Sequence, residues 1–206
     1  MKYFVNTPGL FKKIWPSYIW NMDASDACDA CIYLTFDDGP HPVATPFVLD
    51  QLKKYNAKAT FFCIGKNVMA HPDIYKRIRE EGHAIGNHTQ HHLNGWRTNN
   101  ENYLKDIRQA EKYIEPGLFR PPYGKIKSSQ AKEIRSHYKI IMWSVLSGDF
   151  DQAITKEKCL KNVIDYARPG SIIVFHDSEK AFPLLQYALP GALEFFKRKG
   201  YRMEKL

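Results

Sequence analysis

Short β-rich runs alternate with helical hydrophobic periods through most of this chain, and Gly and Pro residues stand at the junctions between them. Such alternation is typical of βα units that form a parallel sheet or barrel. Seven strands are predicted, a number that fits a barrel. They cover residues 32–36, 59–63, 84–86, 118–120, 140–143, 171–176 and 201–205. Because the 206 residues contain no internal repeat or low-complexity linker, we predict an α/β fold with one domain.

Basic residues outnumber acidic ones by 30 to 22, which gives a formal net charge of +8. The balance of 44% hydrophobic and 25% charged residues excludes disordered, collagenous and coiled-coil chains. The basic residues form no dense stripe, although residues 120–139 are the most basic stretch. Nucleic-acid binding needs clustered cations that neutralise several phosphates together. We therefore expect no nucleic-acid partner and favour a polymer of another class.

Residues 1–30 are interpreted as an extension that precedes the main domain at 31–206. Apolar side chains recur there at helical spacing, at Phe11, Ile14, Trp15, Tyr18 and Ile19. Two interpretations are open: a helical clamp over one end of the barrel, or peripheral membrane contact through residues 11–19. Pro16 interrupts the period, which favours the clamp.

The N-terminus and the cysteines suggest a cytoplasmic location, unless the sequence has been trimmed. The first apolar run breaks after three residues, too early for a secretory signal, and no run is long enough to span a membrane. Cys28 and Cys31 have the spacing of a redox pair or half of a zinc site, but no second pair follows. Free, buried or loop thiols without a function are the favoured interpretation of this pair, and Cys63 and Cys159 are isolated in the sequence.

Two adjacent carboxylates, Asp37 and Asp38, end the first predicted strand, and Gly39 and Pro40 follow. Active sites of βα folds gather at the carboxyl ends of parallel strands. Neighbouring side chains point in different directions, so one acid can bind a metal while the other acts as a base. An Asp-Gly turn would explain Asp38 alone, but it leaves Asp37 unexplained.

Three histidines follow the third predicted strand, at positions 88, 91 and 92. On a helical turn, His88 and His92 would share a face and direct ring nitrogens at one ion, while His91 would point elsewhere. A carboxylate from another strand end would complete an open site of two histidines and one acid. The pattern therefore predicts a catalytic metal centre.

Further polar residues close three later strands. Arg120 opens a proline-rich loop that continues to Tyr123, and prolines in series stiffen a loop enough to aim a backbone N–H at an oxyanion. Asp149 follows the fifth predicted strand, and His176 ends the sixth. A single histidine at a strand end is weak evidence, but several strand ends that carry such polar residues together indicate an active site.

These motifs, in this order, resemble the NodB-homology polysaccharide deacetylases of carbohydrate esterase family 4. The resemblance runs from about Ile32 to the C-terminus and is most specific in the Thr-Phe-Asp-Asp-Gly-Pro and His-Thr-x-x-His motifs. It implies a distorted (β/α)7 barrel and a metal-dependent hydrolase that removes N-acetyl groups from N-acetylhexosamine-containing glycans or their precursors.

The resemblance also implies a role for each matching residue. Asp38, His88 and His92 would bind a divalent ion, zinc first, with cobalt, nickel or manganese as alternatives. The catalytic set would comprise the base Asp37, the residue Arg120 that holds it, the acid His176, its partner Asp149, and the oxyanion-binding backbone N–H of Tyr123.

Two positions depart from the family pattern. Phe150 stands where tryptophan is usual and Val174 where leucine is usual, so we expect a slightly roomier acyl pocket. Two other functions remain open: deacylation of another linear amide or an O-acetyl ester at the same site, and non-catalytic carbohydrate binding. The specific sugar, its chain length and the oligomeric state do not follow from these motifs.

Overall fold

The computed structural model describes residues 3–22 and 30–206 of the chain. Its helices are α1 (Gly9–Ile14), α2 (Ala44–Lys54), α3 (Gly65–Ala70), α4 (Pro72–Glu80), α5 (Asn100–Ala110), α6 (Ser128–Ile134), α7 (Lys156–Ile164) and α8 (Phe182–Arg198). Its strands are β1 (Cys31–Asp37), β2 (Thr60–Cys63), β3 (Ala84–Asn87), β4 (Leu118–Phe119), β5 (Lys139–Ile140), β6 (Val145–Leu146), β7 (Ile172–His176) and β8 (Arg202–Glu204).

The strands form one parallel sheet in the order β5-β4-β3-β2-β1-β7-β6, and β8 pairs with the first half of β1. The sheet curls into an incomplete barrel with its ends at β5 and β6, which confirms the predicted α/β class and distorted barrel. The strand β6 was not predicted. It has two residues and follows β5 after only four, so it shows no periodicity that separates it from the predicted run at 140–143.

Alternation along the buried strand β1 determines what faces the barrel interior. Phe36 points toward the surrounding helices and stacks with Phe61 and Phe175, with ring centroids 5.1 and 5.9 Å away. Thr35 and Asp37 have the opposite parity, and both contact the same arginine inside the barrel. The hydrophobic face therefore anchors the strand while the other face delivers a carboxylate to the open end.

The N-terminal segment runs along the gap between the two sheet ends. Leu146 donates its backbone N–H to the Val5 carbonyl on the β6 side, and Ile19 donates to the Ile140 carbonyl on the β5 side. Helix α1 ends before Pro16, so it is shorter than the predicted period. The boundary at residue 30 and the membrane contact of residues 11–19 remain predictions.

The cysteines differ from the sequence-based interpretation at one position. Cys31 is disulfide-bonded, so it is not the free thiol that was favoured, whereas Cys63 and Cys159 are free and buried. Cys28 lies outside the described residues. Within the described ranges, no helix combines the length and the apolar character needed to cross a membrane.

Candidate active site

The predicted base and acid lie on adjacent strands at the open end of the barrel. Asp37 is the last residue of β1 and His176 the last residue of β7, and the two are partners in the strand register. Since paired residues of parallel strands point to the same face, both side chains face the barrel interior. The Asp37 side chain is buried, whereas the His176 ring is partly accessible.

Arg120 follows β4, two strands beyond the nearest neighbour of β1, and reaches across the barrel interior to hold Asp37. Its side chain is fully buried, and its Nη1 donates to Asp37 Oδ1 and to Thr35 Oγ1, each at 2.7 Å. The remaining guanidinium donors bind the carbonyls of Ile141 and Met142 at 3.2 and 3.0 Å. A buried charge requires this degree of pairing. The arginine therefore determines the position of the Asp37 carboxylate.

Asp38, His88 and His92 form a cluster with the properties of a metal site. One ligand atom from each lies within 4.8 Å of the other two. The distances from Asp38 Oδ1 to the Nε2 atoms of His88 and His92 are 3.7 and 3.2 Å. Among the residues that the structure describes, this buried oxygen has no hydrogen-bond partner. Because an unsatisfied buried carboxylate oxygen is costly, a cation bound between these three groups fits the site.

The protonation states of the cluster suit a cation. Burial lowers the pKa of His88 to about 4, so its ring is the neutral form that ligates metals. Its Nδ1 contacts the Arg120 carbonyl oxygen at 2.7 Å, which leaves Nε2 directed at the site. Burial alone would raise the pKa of Asp38, but the nearby His92, His176 and His88 hold it well below its usual range. Asp38 is therefore ionised, the state that a metal ligand requires.

The two histidines converge through a folded loop and not through the helical turn that was expected. Thr89 and His92 adopt left-handed φ values of 66° and 59°. The buried Asp106 carboxylate accepts from the Gln90 and His91 backbone N–H groups at 3.0 and 2.9 Å. It also contacts His91 Nδ1 at 2.6 Å, so His91 does point away from the cluster. Asp106 was missed, because nothing in its sequence position on α5 signals this contact.

A rigid turn positions Asp38 itself, which has a φ of 81°. The side chain of Asn67 donates to the Asp38 carbonyl at 2.7 Å. Asp177 accepts from the Gly39 N–H at 3.1 Å and also from the Thr45 hydroxyl. A Cβ on Gly39 would lie 2.1 Å from Asp177 Oδ2, so only glycine fits there. Asp177 directly follows His176, a signal that sequence reasoning could have used. Strained residues of this kind cluster at functional sites.

Asp149 orients the ring of His176, the predicted acid, and favours its protonated form. Its two oxygens contact the His176 backbone N–H and ring Nδ1, each at 2.7 Å. Burial by itself would lower the pKa of His176, but the charge of Asp149, with smaller effects from Asp38 and Asp37, raises it to about 9. Phe150 packs edge-on against the His176 ring, 5.2 Å away. The aromatic wall is therefore retained where tryptophan is usual.

Tyr123 lies beside the metal-ligand cluster. Its φ of 61° is left-handed, and its ring centroid is 4.6 Å from that of His92. The side chain is 59% exposed. The structure thus brings all eight predicted site residues to one end of the barrel. Their individual catalytic roles, including the oxyanion role of the Tyr123 N–H, remain predictions.

Comparison with known proteins decides the family. A family model described as polysaccharide deacetylase matches residues 24–139. The chain belongs to the polysaccharide deacetylase family. A peptidoglycan-N-acetylglucosamine deacetylase of Bacillus cereus is 38% identical over 178 residues, which is 83% of this chain and 84% of that protein. A chitooligosaccharide deacetylase of Azorhizobium caulinodans is 40% identical over 71% of this chain and 73% of its own.

Solved structures agree with this assignment. The Bc1960 peptidoglycan N-acetylglucosamine deacetylase superposes on this polysaccharide deacetylase with a TM-score of 0.82 and 34% identity, covering 95% of this chain and 93% of that one. The chain spans 56% of another Bacillus cereus deacetylase and 36% of Listeria monocytogenes PgdA. The predicted family and hydrolase class are confirmed.

Proposed function

We propose that this polysaccharide deacetylase hydrolyses the N-acetyl groups of N-acetylglucosamine residues in peptidoglycan. The observation that carries the proposal is the pairing of Asp37, held by Arg120, with His176, held by Asp149, beside the Asp38, His88 and His92 cluster. Hydrolysis of an amide needs a base for the water and an acid for the departing amine. The two side chains are held in those positions by separate partners, as a division of roles requires.

In the proposed reaction, each site residue has a separate role. A divalent cation held by Asp38, His88 and His92 would supply Lewis acidity to the acetamide carbonyl and to water. Asp37 takes the proton from the attacking water, and the Tyr123 N–H donates to the developing oxyanion. His176 gives its proton to the sugar nitrogen as the carbon–nitrogen bond breaks. Acetate and a glucosamine residue are the products.

Zinc is the cation we propose for the cluster. Two histidine nitrogens and one carboxylate oxygen form a typical catalytic zinc site, with positions left for water and substrate. Cobalt, nickel and manganese accept the same donor types and are the alternatives. The partly accessible side chains of Asp38 and His92 leave an approach to the cluster from solvent.

We propose that the protein acts outside the cytoplasm, in place of the cytoplasmic location expected from the N-terminus. Relatives are named for peptidoglycan, which lies outside the cell membrane. The disulfide bond of Cys31 also suits an oxidising compartment.

Acetate release from defined substrates tests the proposed function. Purified peptidoglycan, N-acetylglucosamine oligomers and O-acetylated xylan would be compared at equal acetyl concentration. We expect the fastest release from peptidoglycan. Fastest release from the ester would favour the O-acetyl alternative, and release from none of the three would leave the non-catalytic carbohydrate-binding alternative.

Asp149→Asn is expected to shift the pH profile toward acid. His176 must be protonated to act, so activity is lost as the pH rises through its pKa. Asp149 is the main cause of the raised pKa of His176. Its removal should move the alkaline limb of the kcat/KM profile to a pH about one unit lower or more. Asp151→Asn removes an equal charge two residues away and is the matched control. An unchanged alkaline limb in Asp149→Asn would contradict the acid assignment.

A further inference from the structure

Trp96 presents an exposed aromatic face close to the candidate active site. Its side chain is 58% exposed, although tryptophan is a large apolar residue that proteins mostly bury. It lies four residues after the metal-ligand candidate His92, in the loop that follows β3. The proposed reaction assigns no role to this residue.

The Trp96 ring is rigidly attached to the loop that carries Tyr123. Its indole Nε1 donates to the Ile126 carbonyl at 3.1 Å, and the preceding Gly95 N–H donates to the Lys125 carbonyl at 3.2 Å. The buried Gln130 side chain donates to the Gly95 carbonyl at 3.0 Å. The ring is therefore held in place before any ligand arrives, which reduces the entropy cost of binding.

Contacts between the two loops place Trp96 at the same end of the barrel as the reaction centre. Ile126, which accepts the indole N–H, is three residues from Tyr123, and the Tyr123 ring contacts the His92 ring at a tilt of 58°. The loops after β3 and β4 lie at the same end of the parallel sheet as Asp37. Trp96 and Tyr123 thus line one side of the open barrel end.

The ammonium group of a lysine lies over the Trp96 ring. The Lys125 Nζ lies 5.4 Å from the centroid of the Trp96 ring. Such a contact is weak at an accessible site, so a carboxylate ligand can compete for the ammonium. Lys125 also belongs to the most basic stretch of the sequence, at residues 120–139.

We propose that Trp96 and Lys125 form a subsite for an additional sugar of the glycan strand, next to the sugar that is deacetylated. One face of a pyranose ring consists of C–H groups, which pack on the electron-rich indole face. Lys125 pairs with a carboxylate on that strand, such as the lactyl carboxylate of an N-acetylmuramic acid residue that carries no peptide. This inference rests on the proposed function, because it assumes a glycan strand as substrate.

Binding measurements test the subsite without relying on turnover. Calorimetric Kd values would be compared for a neutral N-acetylglucosamine disaccharide, the neutral tetrasaccharide, and a peptide-free tetrasaccharide that alternates N-acetylglucosamine with N-acetylmuramic acid. Trp96→Ala should weaken the binding of both tetrasaccharides roughly tenfold, equivalent to about 1.4 kcal/mol, and the binding of the disaccharide less than twofold. Lys125→Gln should weaken only the muramic acid tetrasaccharide.

Matched variants separate a subsite from a general effect. Tyr187, on α8, is another exposed aromatic residue, and the Lys156 Nζ lies 4.8 Å from the centroid of its ring. Tyr187→Ala should leave all three Kd values unchanged. Trp96→Phe keeps an aromatic face and should recover part of the affinity. Equal tetrasaccharide binding by Trp96→Ala and wild type would overturn the subsite. Failure of the proposed function would instead appear as glycan binding by wild type without acetate release.

Discussion

Replacing Asp37 with Asn is expected to lower kcat about 10³-fold or more while leaving the cation bound. The amide has the same shape as the carboxylate and keeps an oxygen that can accept from Arg120 Nη1, as Asp37 Oδ1 does at 2.7 Å. It cannot take a proton from water. Acetate release measures the loss, and metal analysis of the same sample measures the retained cation.

Two outcomes would contradict this prediction for Asp37. Full activity in Asp37→Asn would refute its role as the base. Loss of bound cation together with activity would place Asp37 among the ligands in addition to Asp38. Asp151→Asn serves as the matched control, because Asp151 is only partly buried and is not one of the predicted site residues.

Replacing Arg120 with Leu is expected to destabilise the protein by about 3–5 kcal/mol and to remove most of the activity. The change leaves the buried Asp37 carboxylate without its ion pair and leaves the carbonyls of Ile141 and Met142 without a donor. Unfolding in urea measures the free energy of unfolding. Arg120→Lys keeps the charge but not the planar set of donors, so an intermediate loss is expected.

Arg79→Leu is the control for the Arg120 variants. Arg79 pairs with Glu115 at 3.4 Å on the surface, and such pairs contribute at most about 1 kcal/mol. If Arg120→Leu unfolded at the same urea concentration as Arg79→Leu, the buried guanidinium would not be the organising group that its contacts indicate.

The sequence predicts the strand ends and their chemistry well because both are local. Asp37 and His176 each end an apolar run, and parallel pairing brings such ends together. The short strand β6 escapes prediction, because two residues carry no period. What brings Asp38 and His92 together is also not local. It depends on left-handed backbone and on the distant partners Asn67 and Asp106.

Compartment and partners are harder to predict than fold. The spacing of Cys28 and Cys31 was compatible with several kinds of site, and only the three-dimensional structure records Cys31 as bonded. The sequence also does not show which residues of the basic stretch at 120–139 are buried and which are exposed. Arg120 proves to be buried inside the barrel, whereas Lys125 lies over the exposed Trp96 ring, a difference that charge counting does not reveal.

Cation dependence of acetate release is the most direct test of the proposed reaction. The protein would be stripped with a chelator, titrated with zinc, and assayed on N-acetylglucosamine oligomers alongside His92→Ala. We expect activity to return in proportion to bound zinc and to saturate at one ion per chain, with weakened zinc binding and little activity in His92→Ala. Full activity of the stripped protein, or unchanged zinc affinity in His92→Ala, would contradict a catalytic cation held by Asp38, His88 and His92.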